Sequence, residues 1–299
     1  MNIKFTKLHG AGNDYLYIDA MNDLPDLISN DDTDFYKELA IKISDRHFGV
    51  GSDGIIIILP PSAKARKDRD IKADFRMRTF NIDGSEGEMC GNGIRCFAKY
   101  VYDYNLINKK TINIETLAGI KTVELFLSDD VVRDVKVFMG FPAFETNKIP
   151  AHFKKPEIIL EKLTAGGMDF DISCVSMGNP HCVIFVNDVK SFDVGFYGPL
   201  IENDKLFPKR VNVEFVQVQD PQNVLVRTWE RGSGETLACG TGACAVYSVM
   251  KKIGKIKQNG LGVNLYGGTL KISGELADGI YMTGPAEEVF TGYYDFTYK

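Results

Sequence analysis

The sequence predicts an α/β protein of the α+β type, built from two similar domains. Three observations predict it. Runs rich in Val, Ile, Phe and Thr, bounded by Gly, Asp, Asn and Pro, outnumber helical patterns. Two stretches repeat each other without a gap, RTFNIDGSEGEMCGNG from Arg78 and RTWERGSGETLACGTG from Arg227. Their arginines and their cysteines share one offset of 149 (227 − 78 and 239 − 90). Each stretch also leads into a helical pattern, so the second half reads as a copy of the first. A chain of 299 residues is long enough for two domains.

The elements follow in order. Strand-like runs lie at Tyr15–Asp19, Gly54–Leu59, Phe75–Phe80, Thr111–Glu115, Lys121–Leu127 and Val131–Met139. In the second half they lie at Cys174–Ser176, Cys182–Val186, Val211–Val218, Asn223–Trp229 and Gly279–Thr283. Asp34–Ser44 reads as a helix capped by Thr33 or Asp34. Gly93–Tyr104 carries apolar residues at Ile94, Phe97, Ala98 and Val101, the spacing of one helix face. Gly242–Lys252 repeats that spacing at Ala243, Val246, Tyr247 and Met250. Both helices are expected to start directly after a Cys-Gly-x-Gly turn. A fainter echo pairs AGNDY at 11–15 with MGNPH at 177–181, each before a strand. Pro142–Lys162 is less regular, and the boundary is expected near Arg133–Phe144. This places one domain at 1–134 with 285–299 and the other at 135–284.

Composition narrows the function. A net charge of −5 argues against a general nucleic-acid surface. The longest strongly apolar run, Ile55–Leu59, is too short to span a membrane. The opening MNIKFTKLHGAGNDY has no apolar core of a signal peptide, so a cytoplasmic location is expected. Six cysteines do not make a disulfide scaffold, and reduced thiols are expected.

The repeated cysteines carry the chemistry. Each precedes a helix whose first amides lack intrahelical partners and carry partial positive charge. Such amides hold a carboxylate and are expected to lower a cysteine pKa towards neutrality. Glycines at 91, 93, 240 and 242 are expected to let a ligand approach the backbone. Two facing thiols would be a device for moving protons on and off carbon. A lone cysteine is most often a small buried hydrophobe, and that reading fits Cys96, Cys174, Cys182 and Cys244. For Cys90 and Cys239 the repeat favours reactive thiols. Zinc fits poorly: Cys90/Cys96 and Cys239/Cys244 are six and five residues apart, which on a helix puts their sulfurs on different sides. Gly49–Gly54 matches GxGxxG, yet it opens a strand rather than a helix, so no dinucleotide is expected there.

Polar residues around the repeat supply candidates for binding. Asn81 and Glu230 occupy the same slot of the repeat, nine residues before each cysteine. Glu230 suits a substrate ammonium and Arg231 a carboxylate. Asn13, Asn179 and Asn212 lie at turns or strand ends, where asparagine is common for conformational reasons alone. His181 reads by default as a structural histidine, and near a cysteine it would tune that thiol.

At Asn13, Cys90-Gly-Asn-Gly, Gly178-Asn-Pro-His and the run from Glu230 to Gly242, the sequence resembles the diaminopimelate epimerase family, from Lys7 to about Pro285. The resemblance implies two pseudo-symmetric domains, each a curled, mostly antiparallel sheet or barrel around a central helix, with the active site in the cleft between them. It implies an isomerase without cofactor or metal that interconverts LL- and meso-2,6-diaminopimelate for lysine and peptidoglycan precursors, usually as a homodimer. It puts proton transfer on Cys90 and Cys239. Gly91 with Asn92, and Gly240 with Thr241, would hold the reacting carboxylate. Asn13, Asn81, Asn179, Asn212, Glu230 and Arg231 would hold the other amine and carboxylate groups. His181 and Glu230 would adjust the thiol pKa values. Two positions depart from the family pattern. Gly54 stands where some members carry glutamine, and Phe290 where some carry a tyrosine linked to dimer contacts. The rivals are a proline or hydroxyproline racemase-type enzyme, which has no use for a second carboxylate site, a non-catalytic thiol or zinc module, and an amino-acid-binding module.

Overall fold

The computed structural model describes residues 1–24, 29–66 and 71–298. The chain divides into two compact units, Met1–Val137 with Gly284–Lys299, and Phe138–Thr283.

The first unit contains β1 (Asn2–Gly10), β2 (Asn13–Asp19), α1 (Thr33–Ser44), β3 (Gly54–Leu59), α2 (Ala63–Arg66), β4 (Phe75–Asn81), β5 (Glu86–Gly87), α3 (Gly91–Asp103), β6 (Thr111–Thr116), β7 (Gly119–Ser128) and most of β8 (Val131–Gly140). The order in its sheet is β18-β1-β2-β3-β4-β6-β7-β8, where β18 is the late strand Glu287–Asp295 and β5 also pairs with β4. All pairs are antiparallel except β2–β3 and β4–β6.

The second unit repeats this plan with β9 (Glu161–Ala165), β10 (Met168–Ser176), β11 (Pro180–Phe185), α4 (Val194–Glu202), β12 (Asn212–Asp220), β13 (Asn223–Glu230), β14 (Gly234–Thr236), α5 (Gly240–Lys252), β15 (Leu261–Leu265), β16 (Gly268–Glu275) and β17 (Gly279–Pro285). Its order runs β9-β10-β11-β12-β13-β15-β16-β17, with β14 on β13. The two parallel pairs, β11–β12 and β13–β15, fall where the first unit has its own.

Burial explains the sequence pattern. Asn92 to Val101 of α3 are all buried, including Arg95 and Lys99. A surface helix would expose one stripe, so the sheet must wrap α3. Ala243 to Met250 of α5 are likewise all buried. Every residue of β3 is buried because both its faces are covered. Ile55, Ile57 and Leu59 pack with Phe35, Leu39 and Ile43 of α1, while Ile56 turns towards Gly93 of α3. In the second unit Val213 and Phe215 of β12 pack with Val194 and Ile201 of α4. The inner face of β12 presents Glu214 towards α5 instead.

Two boundary expectations are corrected. The cap of α1 is Asp32, not Thr33 or Asp34: its Oδ1 accepts from Phe35 N at 3.0 Å, the bond an Asp three residues upstream makes well. The cysteine helices start at Gly91 and Gly240 rather than Gly93 and Gly242. The cysteine is therefore the N-cap itself, with no separate turn after it.

Candidate active site: two capped helix N-termini

In the first unit Cys90 adopts extended backbone, φ −119° and ψ 117°, and its Sγ accepts from Gly93 N at 3.3 Å. The sulfur also donates to Asn13 Oδ1 at 3.4 Å. Asn13 is fixed in that orientation because its Nδ2 donates to Asp53 Oδ2 at 2.6 Å. Asp53 is held in turn by Arg46 at 2.8 Å and by the Asp14 amide at 3.2 Å. Arg46 and Lys7 also pair with Asp14, and against the pull of burial they keep its carboxyl below the usual range. Asn81 is partly exposed and donates to Ser85 Oγ at 3.0 Å. Asn92 is buried in the first turn of α3.

The second unit rebuilds the same cap. Cys239 has φ −120° and ψ 110°, and its Sγ accepts from Gly242 N at 3.4 Å. Thr241 Oγ1 lies 3.4 Å from that sulfur. Asn179 Nδ2 donates to Thr241 Oγ1 at 3.3 Å, and Asn179 Oδ1 lies 3.0 Å from His181 Nε2. His181 Nδ1 sits 2.7 Å from Glu214 Oε1, with both side chains fully buried. Glu230 accepts from Thr236 Oγ1 at 2.6 Å. Asn212 spends both ends of its amide on backbone, donating to Pro180 O at 2.9 Å and accepting from Arg231 N at 2.8 Å. Arg231 itself is exposed, and its guanidinium donates to Lys209 O at 3.0 Å.

The expected lowering of the two thiol pKa values is corrected. Burial pushes the Cys90 thiol up, against the Gly93 amide, the Tyr15 phenol and the Asn92 amide. Burial pushes Cys239 well above the ordinary value, reinforced by the carboxylates of Glu230 and Glu214 and opposed by Thr241 and the Gly242 amide. Two or three donors do not repay the water lost from a buried thiolate. The glycines also serve a purpose other than ligand approach. A Cβ on Gly93 would stand 2.5 Å from Ile56 Cδ1, and one on Gly242 would stand 2.7 Å from Glu214 Oε1. Both let a strand side chain pack directly against the helix start.

Three residues near the caps escape sequence reasoning. Tyr15 and Asp53 back Cys90, and Glu214 backs the Cys239 side. Glu214 had a signal, a lone charge between Val213 and Phe215 in a strand that is otherwise apolar there. Among the described residues, no group of three or more His, Cys, Asp or Glu could hold a metal ion. No disulfide joins any of the six cysteines. No described helix is long and apolar enough to cross a membrane.

The pairing registers set the two caps in one frame. Leu16 pairs with Ile55 and Ile55 with Phe80; Cys182 pairs with Val213 and Val213 with Trp229. Tyr15 therefore matches His181, Ile56 matches Glu214, and Asn81 matches Glu230. The thiols are equivalent while their polar surroundings differ.

The chain is similar to known proteins over nearly its whole length. The family model for diaminopimelate epimerase matches residues 5–144 and 173–289. The chain is 47% identical over 294 residues to the diaminopimelate epimerase of Acetivibrio thermocellus, covering 98% of this chain and 99% of that one. It is also 47% identical over 294 residues to that of Methanococcus maripaludis strain C5, covering 98% and 100%. Among solved structures it resembles a hydroxyproline epimerase from Agrobacterium vitis, with a TM-score of 0.65, 14% identity and 98% and 92% coverage. It also resembles a PhzF-family phenazine biosynthesis protein from Bacillus anthracis, with a TM-score of 0.66, 17% identity and 99% and 100% coverage. At such identities the solved structures share the fold alone.

Proposed function

The chain belongs to the diaminopimelate epimerase family, and on that premise we propose that it interconverts LL- and meso-2,6-diaminopimelate with Cys90 and Cys239 as its acid–base pair. One thiolate takes the α-proton and becomes a thiol. The C–H bonding pair stays on carbon as a carbanion-like centre. The other thiol gives its proton to the opposite face and becomes the thiolate, so the two cysteines exchange roles at each turnover. The reaction is an isomerisation, and nothing is oxidised or reduced.

The observation that carries this reading is the repeated cap, a cysteine at the N-terminus of a largely buried helix in each unit. The free amides that follow each cysteine suit the substrate carboxylate, on which negative charge grows as the proton leaves. Removing that proton is the hard step, so stabilising this charge is the largest contribution expected, with acid–base transfer adding roughly 10²–10⁴-fold. Gly91, Asn92, Gly240 and Thr241 are assigned to the carboxylate. Asn13, Asn81, Asn179, Asn212, Glu230 and Arg231 are assigned to the remaining amine and carboxylate groups. His181 and Glu230 adjust the thiols. A cytoplasmic homodimer is part of the proposal, supported by the exposed Val289, Phe290 and Tyr293 on β18.

Epimerisation run in D₂O tests the assignment. Product should carry deuterium at the inverted carbon, and Cys90→Ala and Cys239→Ala should each abolish turnover. Near-native turnover by either variant, or product free of deuterium, would remove the two-thiol mechanism. Proline assayed alongside should not react.

A further inference from the structure

Cys239 ends a run of polar groups that begins at a buried carboxylate the reaction does not use. Glu214 lies in β12 on the face turned to α5, with 0% of its side chain exposed, and so does its partner His181 in β11. Glu214 Oε1 is 2.7 Å from His181 Nδ1, His181 Nε2 is 3.0 Å from Asn179 Oδ1, and Asn179 Nδ2 is 3.3 Å from Thr241 Oγ1. Thr241 Oγ1 is 3.4 Å from Cys239 Sγ. Glu214 Oε2 is buried with no hydrogen-bond partner among the described residues. The matching places in the first unit hold Ile56 and Tyr15, so the same frame folds without this run.

We infer that Glu214 is a positioning residue for Cys239: it holds His181 so that each donor in the run points towards the sulfur. The inference rests on the assignment of Cys239 to proton transfer. A buried carboxylate and imidazole in contact keep a proton between them, because either lone charge would be costly there. Asn179 Oδ1 can only accept, so the hydrogen between it and Nε2 belongs to the imidazole. Nε2–H then donates to Asn179 Oδ1, which turns the amide nitrogen of Asn179 towards Thr241. Thr241 Oγ1 accepts that bond and has its own proton free for Cys239 Sγ. With the Gly242 amide at 3.4 Å, the sulfur faces two donors, which suits a thiolate.

The opposite polarity holds in the first unit. There Asn13 offers its oxygen to Cys90, because its nitrogen is committed to Asp53. The groups that face Cys239 from the elements around it are Glu230 on β13, Glu214 on β12, His181 on β11, and Thr241 with the Gly242 amide on α5. Through space the carboxylates of Glu230 and Glu214 raise the Cys239 thiol. Against that, the run that Glu214 holds through His181 aims a donor at the sulfur, and that orientation outweighs the charge.

Alkylation of the intact chain by iodoacetamide tests this, read separately for the Cys239 and Cys90 peptides by mass spectrometry across pH. Glu214→Leu should raise the Cys239 midpoint by on the order of one pH unit and leave Cys90 unmoved. Glu214→Gln can donate from its amide to Nδ1 and so keep Nε2 protonated. Its Cys239 midpoint should stay within about 0.3 unit of the parent. Thr241→Val should raise the midpoint as Glu214→Leu does, and the double variant should go no higher. A fall in both Glu214 variants would overturn the inference, since it would mark the carboxylate as a bare negative charge. Additive shifts in the double variant, or an unmoved midpoint in Glu214→Leu, would overturn it too. If Glu214→Leu fails to fold, a fall in Glu214→Gln or no rise in Thr241→Val decides against it. The assay needs no turnover: the expected shifts in a protein inactive on diaminopimelate would count against the proposed substrate and leave the run intact.

Discussion

Replacing Cys239 separates its structural task from its chemical one. As N-cap of α5, its Sγ accepts from the Gly242 amide at 3.4 Å. Sulfur is a weak acceptor and the bond is long, so the cap stands at the low end of the usual range, about 0.5 kcal/mol. The residue is only 5% exposed, and deleting the sulfur leaves a gap worth about another 0.5–1 kcal/mol. Cys239→Ala should therefore cost about 1 kcal/mol, or roughly 2–4 °C in the melting temperature of a unit of this size. Cys239→Ser keeps an acceptor at the cap, and serine is among the preferred N-caps. Its stability should lie within about 0.5 kcal/mol of the parent. Its epimerisation should still fall by at least about 10²-fold, the lower figure for losing a general acid–base group. Calorimetry beside deuterium exchange into substrate gives both numbers from one preparation. A serine variant that melts as low as the alanine variant would refute the cap argument. A serine variant with near-parental exchange would refute the acid–base role.

Two further outcomes follow from packing and charge. Gly242→Ala sets a Cβ 2.7 Å from Glu214 Oε1, which His181 holds in place, so denaturant unfolding should show a loss of about 1–3 kcal/mol; an unchanged midpoint would mean that β12 and α5 give way easily. The pH dependence of stability has a definite sign: burial raises the thiols of Cys90, Cys96 (to about 11), Cys182 and Cys239, so the folded state holds these protons longer than the unfolded one. Their contribution is complete below the unfolded value of about 8.5 and is lost as pH climbs through the folded values; a denaturation midpoint that holds steady from pH 8 to 11 would contradict the burial seen at these sulfurs.

The duplicated plan was legible because it is written twice. Arg78 and Arg227 mark corresponding strands, and Cys90 and Cys239 mark corresponding helix starts, so a weak local signal in one half was reinforced by the other. Gly54–Leu59 was legible as a strand because both its faces are covered and its apolar run is unbroken. By contrast, β18 offers no such pattern: Glu287–Phe290 are all exposed, and its place is fixed by pairing with β1 at the far end of the sequence. Helix α4 was illegible because Gly195, Gly198 and Pro199 lower its helical propensity. Contact with Trp229, against which a Cβ on Gly198 would stand only 2.6 Å away, and the Asp193 cap hold it instead. At the candidate site the position of the two thiols at helix starts could be read, and the sign of their pKa shifts could not. The helix amides are implied by the residue types, whereas the burial that outweighs them depends on how both faces of β3 and β12 are covered.

The differences between the two caps have a chemical logic. Inverting a carbon swaps only the side on which its hydrogen lies, so the groups that exchange the proton must be alike, and the two cysteine caps are. The other three substituents of that carbon, an ammonium, a carboxylate and a long side chain, are unlike one another, and a site symmetric throughout could not tell them apart. Under the proposed reaction that demand would fall on the matched positions that diverge, with Asn81 against Glu230, Gly54 against Asn212, and Tyr15 against His181. Glu214 extends the divergence beneath the helix, where Ile56 serves packing alone. A polar group buried at a place where an aliphatic one suffices costs stability unless its partners repay it. Its presence on one side only argues that the Cys239 cap needs an orientation that its own first turn does not supply.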